Sequence, residues 1–147
     1  MRINILFGFI FPWILGLVLL KKDKNHFLSL YPFIAVISNL ICLWGQSKGY
    51  WNVKPKLSKR QYLTTLPFNF GLYPILGIFM VYIIRTVSKV NPYLLILLFS
   101  AITTINEFIY LLFGRVTYGN GWNINKTFLS YIVPYFLTYK YYLWFIK

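Results

Sequence analysis

Apolar residues fall into five long runs: Ile3 to Leu20, Phe27 to Trp44, Leu63 to Ile84, Pro92 to Phe113 and Thr127 to Ile146. Each is close to the roughly twenty residues that carry a helix across a bilayer. A backbone in lipid must satisfy its own N–H and C=O groups, so the pattern predicts a helix over each run. The expected fold is therefore all-α: a polytopic membrane helical bundle of about five transmembrane helices, with residues 1–147 forming one integral membrane domain. The fifth run is interrupted by Pro134 and Lys140. The first passes through "FPWILGLVLL" to "KKDK" without a small-residue cleavage site, which reads as a retained span rather than a signal peptide.

The connections alternate between short (Leu20 to Phe27, Ile84 to Pro92) and long (Gly45 to Tyr62, Gly114 to Lys126). Alternating crossings place both long loops on one face, beside the N-terminus. Eight Lys and Arg lie on that face against six on the other, a small difference that leans the long loops towards the cytoplasm.

Composition agrees with this reading. Charged residues make up 12% and hydrophobic ones 59%, against roughly 25% and 45–50% in soluble domains. The net charge of +13 does not argue for nucleic acid, because the cations sit at the ends of apolar runs, where they meet lipid headgroups. Lys54, Lys56, Lys59 and Arg60 are the expected contacts with anionic headgroups. The bilayer is thus the expected partner, with homo-oligomers or other membrane proteins left open. Trp44, Trp51, Trp122 and Trp144 lie at or just beyond run ends and read as interfacial anchors, while Trp13 lies deeper and reads as helix packing. Cys42 is the single cysteine, and Asp23 and His26 share the first short loop, so no disulfide, metal site, cofactor or catalytic triad is expected within one chain.

One feature breaks the apolar pattern. Glu107 lies inside the fourth run, about 9 Å from the long-loop face at 1.5 Å per helical residue. On the same scale Asn39 lies at about 7–8 Å, Asn69 at about 9 Å, and Tyr131 and Tyr135 at about 6 and 12 Å. Thr103, Glu107, Tyr110 and Gly114 are spaced to share one face of their helix. A carboxylate facing lipid would cost several kcal/mol, so that face is expected to point inward. The candidate intramembrane cluster is Glu107, Asn69, Asn39, Thr103, Tyr110, Tyr131 and Tyr135, with Arg115 as a candidate cation. The third run opens with "LPFNFGLYPILG", whose prolines and glycines predict a loosened or kinked helix.

The strings "WGQSKGYW" (44–51), "LPFNFGLYPILG" (66–77) and "EFIYLLFGRVTYGNGWN" (107–123), with the Tyr-rich last span, resemble a family of small multi-span membrane proteins of spore-forming Gram-positive bacteria. The resemblance covers roughly residues 10 to 145. It implies a bacterial cytoplasmic membrane and no established activity. The family's third-span motif often carries Asp where this chain has Asn69, which would remove one charge from the polar layer.

Three roles are compatible with these residues. The favoured one is a non-enzymatic structural or interaction component of a membrane assembly, with the polar layer joining helices through hydrogen bonds. The alternative is a small transporter, channel or ligand sensor with a pocket around Glu107. A lipid-acting enzyme ranks third, because no convincing nucleophile or metal set accompanies the carboxylate.

Overall fold

The computed structural model describes residues 1–57, 59–87 and 89–147. The described residues form an all-α bundle of five helices: α1 (Arg2–Lys22), α2 (Lys24–Ser47), α3 (Phe68–Thr86), α4 (Pro92–Leu112) and α5 (Ile124–Tyr141). A π-helical turn over Tyr142–Ile146 continues α5. Among the described residues four helices, α1 to α4, are long and apolar enough to cross a membrane. Polar positions such as Asn125, Lys126, Ser130 and Lys140 dilute α5.

Most helix ends lie within three residues of the apolar runs. The third run is the exception. Gln61–Thr64 forms a 3-10 turn, and the Thr65 carbonyl then accepts the N–H groups of Phe68 and Asn69, both at 3.0 Å. The helix proper starts beyond Pro67, whose missing N–H is harmless at a helix entrance.

The loosened start of α3 determines how the first three helices meet. Phe68–Leu72 is a π-helical turn, and Pro74 cannot donate to the Phe70 carbonyl one turn earlier. That carbonyl instead accepts from Trp13 Nε1 of α1 at 3.2 Å and from the Tyr31 hydroxyl of α2 at 2.7 Å. A proline defect is thereby converted into a three-helix junction. Beside it α1 crosses α3 at backbone contact. A Cβ on Gly71 would lie 2.1 Å from the Gly8 carbonyl oxygen and 2.7 Å from Phe9 Cα, so a side chain at 71 requires the helices to separate.

Helix α2 packs on α3, α3 on α4, α4 on α5, and α5 returns to α2, with α1 applied against α2 and α3. Leu19, Leu30, Ile78, Val81, Leu95 and Ile96 fill the short-loop half. Asp23 separates α1 from α2 and joins that end together, accepting from Arg85 at the foot of α3 and pairing with His26 at 2.8 Å. The outward faces are apolar: Ile14, Leu40, Leu94 and Leu129 are 61–65% exposed.

The two long loops are not independent, which the apolar pattern did not anticipate. Trp51–Val53 (β1) and Val116–Tyr118 (β2) pair antiparallel, Trp51 opposite Tyr118 and Val53 opposite Val116. This ribbon covers the long-loop end of the bundle. Val53 and Val116 turn inward and form a second, smaller core with Phe68.

Candidate functional site

The chain's capping chemistry aims the site's side chains. Asn91 accepts the Tyr93 N–H and starts α4 ahead of Pro92. At the other end Gly114 takes φ +61°, the Arg115 N–H donates to the Tyr110 carbonyl and the Gly114 N–H to that of Leu111. This is the hydrogen-bond pattern of a Schellman stop, which needs a residue free to adopt a left-handed conformation. The chain reverses there, and β2 carries Tyr118 back over Glu107. Asn123 then caps α5 by accepting the Lys126 N–H at 3.0 Å, which sets Thr127 at the level of the carboxylate.

Glu107 is the end point of two donor chains. The Tyr118 hydroxyl donates to Oε1 at 2.6 Å. Behind it, Trp122 Nε1 donates to Thr127 Oγ1 at 2.9 Å, and Thr127 Oγ1 donates to the Tyr118 oxygen at 2.9 Å while lying 3.4 Å from Oε1. On the other side the Tyr131 hydroxyl donates to Oε2. Its proton is thus committed to the carboxylate, so the contact between Tyr73 and Tyr131, 3.1 Å between oxygens, has Tyr73 as donor. Burial, with the neighbouring Glu107 carboxylate, holds the Tyr118 hydroxyl well above its ordinary pKa, so it remains a donor throughout the neutral range. Among the described residues no Lys, Arg or His lies within ion-pair distance of Glu107.

A cavity of about 90 Å³ lies against this carboxylate, room for roughly three waters or a small organic group. Trp51, Val53, Val116 and Trp122 roof it from the ribbon side. Ile34, Ser38, Ile41 and Cys42 line it from α2, and Thr127, Tyr131, Pro134, Tyr135 and Thr138 from α5. From Thr127 to Thr138 the lining runs about 16 Å along the helix axis. The cavity is elongated between α2 and α5, with its carboxylate near the loop end. Its roof is an aromatic cluster: Tyr50 stacks on Trp122 at 4.8 Å, and Trp51 lies 4.9 Å from Trp122.

Gly45 makes the roof possible. A Cβ there would lie 1.9–2.4 Å from atoms of the Trp51 ring. Gly45→Ala is expected to displace that indole and cost about 1–3 kcal/mol. The check is a red shift of tryptophan emission, together with a lower unfolding midpoint, that disappears in a Trp51→Phe background.

The sequence-predicted cluster is divided. Glu107 meets Tyr131 directly, but Thr103 pairs with Tyr135 at 2.6 Å, and Asn69 Nδ2 donates to Asn39 Oδ1 at 3.1 Å. Tyr110 packs edge-on against Phe68, its buried hydroxyl without a partner among the described residues. Arg115 does not serve Glu107. Its guanidinium Nη2 donates to Asn4 Oδ1 at 3.1 Å, on the α1 side of the ribbon. Depth along a helix gives height but not direction around the bundle, and residues at one level face different neighbours. Trp51 and Trp122 line the cavity, where interfacial anchoring was the favoured expectation over ligand contact.

Tyr118, Thr127 and Asn4 are the residues that the sequence reading missed. Lys54, Lys56, Lys59 and Arg60 are exposed on the long-loop face. Comparison with family models, curated proteins and solved structures found no match to this chain.

Proposed function

We propose that this chain is a multi-pass protein of a bacterial cytoplasmic membrane. In this reading it binds a small amphiphilic amine in the cavity beneath the ribbon, as a sensor or one-sided carrier, with Glu107 as anchor. The observation that carries the reading is a carboxylate that has no cationic partner among the described residues and stands on the wall of an aromatic-lined cavity.

Exposed leucines and isoleucines around the bundle support the membrane setting, since water would penalise each by roughly 25 cal/mol per Å². The resemblance to small membrane proteins of spore-forming bacteria supports the cellular one. Apolar packing of the short-loop half supports a blind pocket over a conduit. The ligand class follows from the lining. An ammonium complements the carboxylate and the faces of Trp51 and Trp122, and an alkyl body suits Ile34, Pro134 and Tyr135.

A structural role within a membrane assembly is the second reading. It is favoured by one observation: the chain itself supplies the donors to Glu107, the Tyr118 and Tyr131 hydroxyls.

Tryptophan emission tests the choice, because Trp51 and Trp122 line the cavity. Protein in phosphatidylcholine vesicles is titrated with hexylamine, hexanol and hexanoate. A saturable response to hexylamine, weakened about tenfold or more in Glu107→Gln, is expected for a charge-assisted contact. Equal, non-saturating responses to all three would reject ligand binding. If Glu107→Gln then proved less stable, the structural reading would replace it.

A further inference from the structure

The long-loop face holds an excess of positive charge for which the chain supplies no counter-ion. Residues 45–62 and 114–126 contain Lys48, Lys54, Lys56, Lys59, Arg60, Arg115 and Lys126 and no acid. Of the chain's two acids, Asp23 is engaged by Arg85 and His26 at the opposite end and Glu107 by hydroxyls.

Within that face Lys54 and Arg115 form a defined pair. The Lys54 N–H donates to the Arg115 carbonyl at 2.8 Å, adding one rung to the ribbon after Val53 and Val116, so the two side chains leave neighbouring backbone positions. Lys54 Nζ lies 3.9 Å from where a Cβ on Gly114 would stand, next to the Gly114–Arg115 turn.

Arg115 is held in place. Asn4 is fully buried, and its amide is fixed by donating to the Lys54 and Thr64 carbonyls, both at 2.9 Å. Its Oδ1 therefore presents one fixed acceptor to Arg115 Nη2, while the buried Arg115 Nε has no partner among the described residues. A half-buried guanidinium oriented by Asn4 and an exposed ammonium therefore leave opposite positions at one end of the ribbon, a donor set that matches the oxygens of a phosphate. The pair follows directly on the end of α4, where Leu112 and Phe113 are 69% and 78% exposed, the level at which headgroups meet an apolar belt.

We propose that Lys54 and Arg115, oriented by Asn4, bind the phosphate of an acidic phospholipid headgroup. The site lies on the α1 side of the ribbon and does not depend on the ligand reading of the Glu107 cavity.

Native mass spectrometry of the full chain, released from mixed phosphatidylcholine and phosphatidylglycerol micelles, tests the site. One retained phosphatidylglycerol is expected. Lys54→Gln with Arg115→Gln should weaken retention at least tenfold, while Lys56→Gln with Lys59→Gln, an equal loss of charge nearby, should leave it within twofold. Arg115→Lys should lie between, because it keeps the charge and loses the fork. Lys54→Gln alone alters an exposed side chain, so it reports on the site even if the Arg115 variants fail to fold. Equal weakening by the two double variants would overturn the site in favour of diffuse surface charge. Displacement of the lipid by millimolar inorganic phosphate would overturn the lipid assignment, and persistence of the lipid in that phosphate would support it.

Discussion

Gly71→Ala is expected to destabilise the protein by about 2–3 kcal/mol, against the usual direction of such a change. In an ordinary helix interior alanine is better than glycine by roughly 1 kcal/mol. Here the added methyl would lie 2.1 Å from the Gly8 carbonyl oxygen, a backbone atom that no rotamer change can move aside. Relief requires α1 to lift from α3, loosening the junction at which Trp13 and Tyr31 satisfy the Phe70 carbonyl. Small residues at such crossings let backbones approach in membrane helix pairs. The unfolding midpoint in detergent decides this. A stability equal to or above wild type would show that the helices do not touch there.

Asn4→Leu should be at least as damaging, costing about 3 kcal/mol or more. The change removes three hydrogen bonds at once and strands the Lys54 and Thr64 carbonyls together with the Arg115 guanidinium. Each buried group left unpaired costs about 1–3 kcal/mol. Asn4→Asp separates the contributions, because it keeps an acceptor for Arg115 and loses both donated bonds. Its loss should fall between wild type and leucine. Denaturant titration read by tryptophan emission measures all three proteins. A leucine variant within 1 kcal/mol of wild type would mean that Asn4 does not join α1 to the loops.

The two predictions mark the limits of what the amino-acid sequence discloses. The helices were legible because apolar runs near twenty residues leave the backbone no other solution, and the loosened entrance of α3 was legible from its prolines and glycines. The ribbon was not. Trp51–Val53 and Val116–Tyr118 are three-residue strands lying more than sixty positions apart in polar loops, and their pairing is non-local. Glu107 announced itself as a charge in an apolar run, and Tyr131 through its matching depth. Tyr118 gave no depth to match, since it returns to the carboxylate only through the reversal at Gly114. The glycine closing "LLFG" and the alternation of "VTY" were the available signals for that return. Arg115 was assigned to the carboxylate and is engaged by Asn4 instead, and Asn4 escaped notice because it sits at the very start of the first run.

Glu107 is the single glutamate in the chain, so ¹³C-glutamate labelling yields one side-chain carboxyl resonance. The most direct measurement follows that resonance in reconstituted protein during titration with hexylamine, with hexanol as control. If the carboxylate anchors a ligand in the cavity, the signal moves saturably with the amine, at the concentrations that change tryptophan emission, and the Tyr131→Phe variant shifts its starting position. A carboxyl signal that stays fixed while emission responds would place the ligand elsewhere and contradict the assignment of Glu107 as anchor.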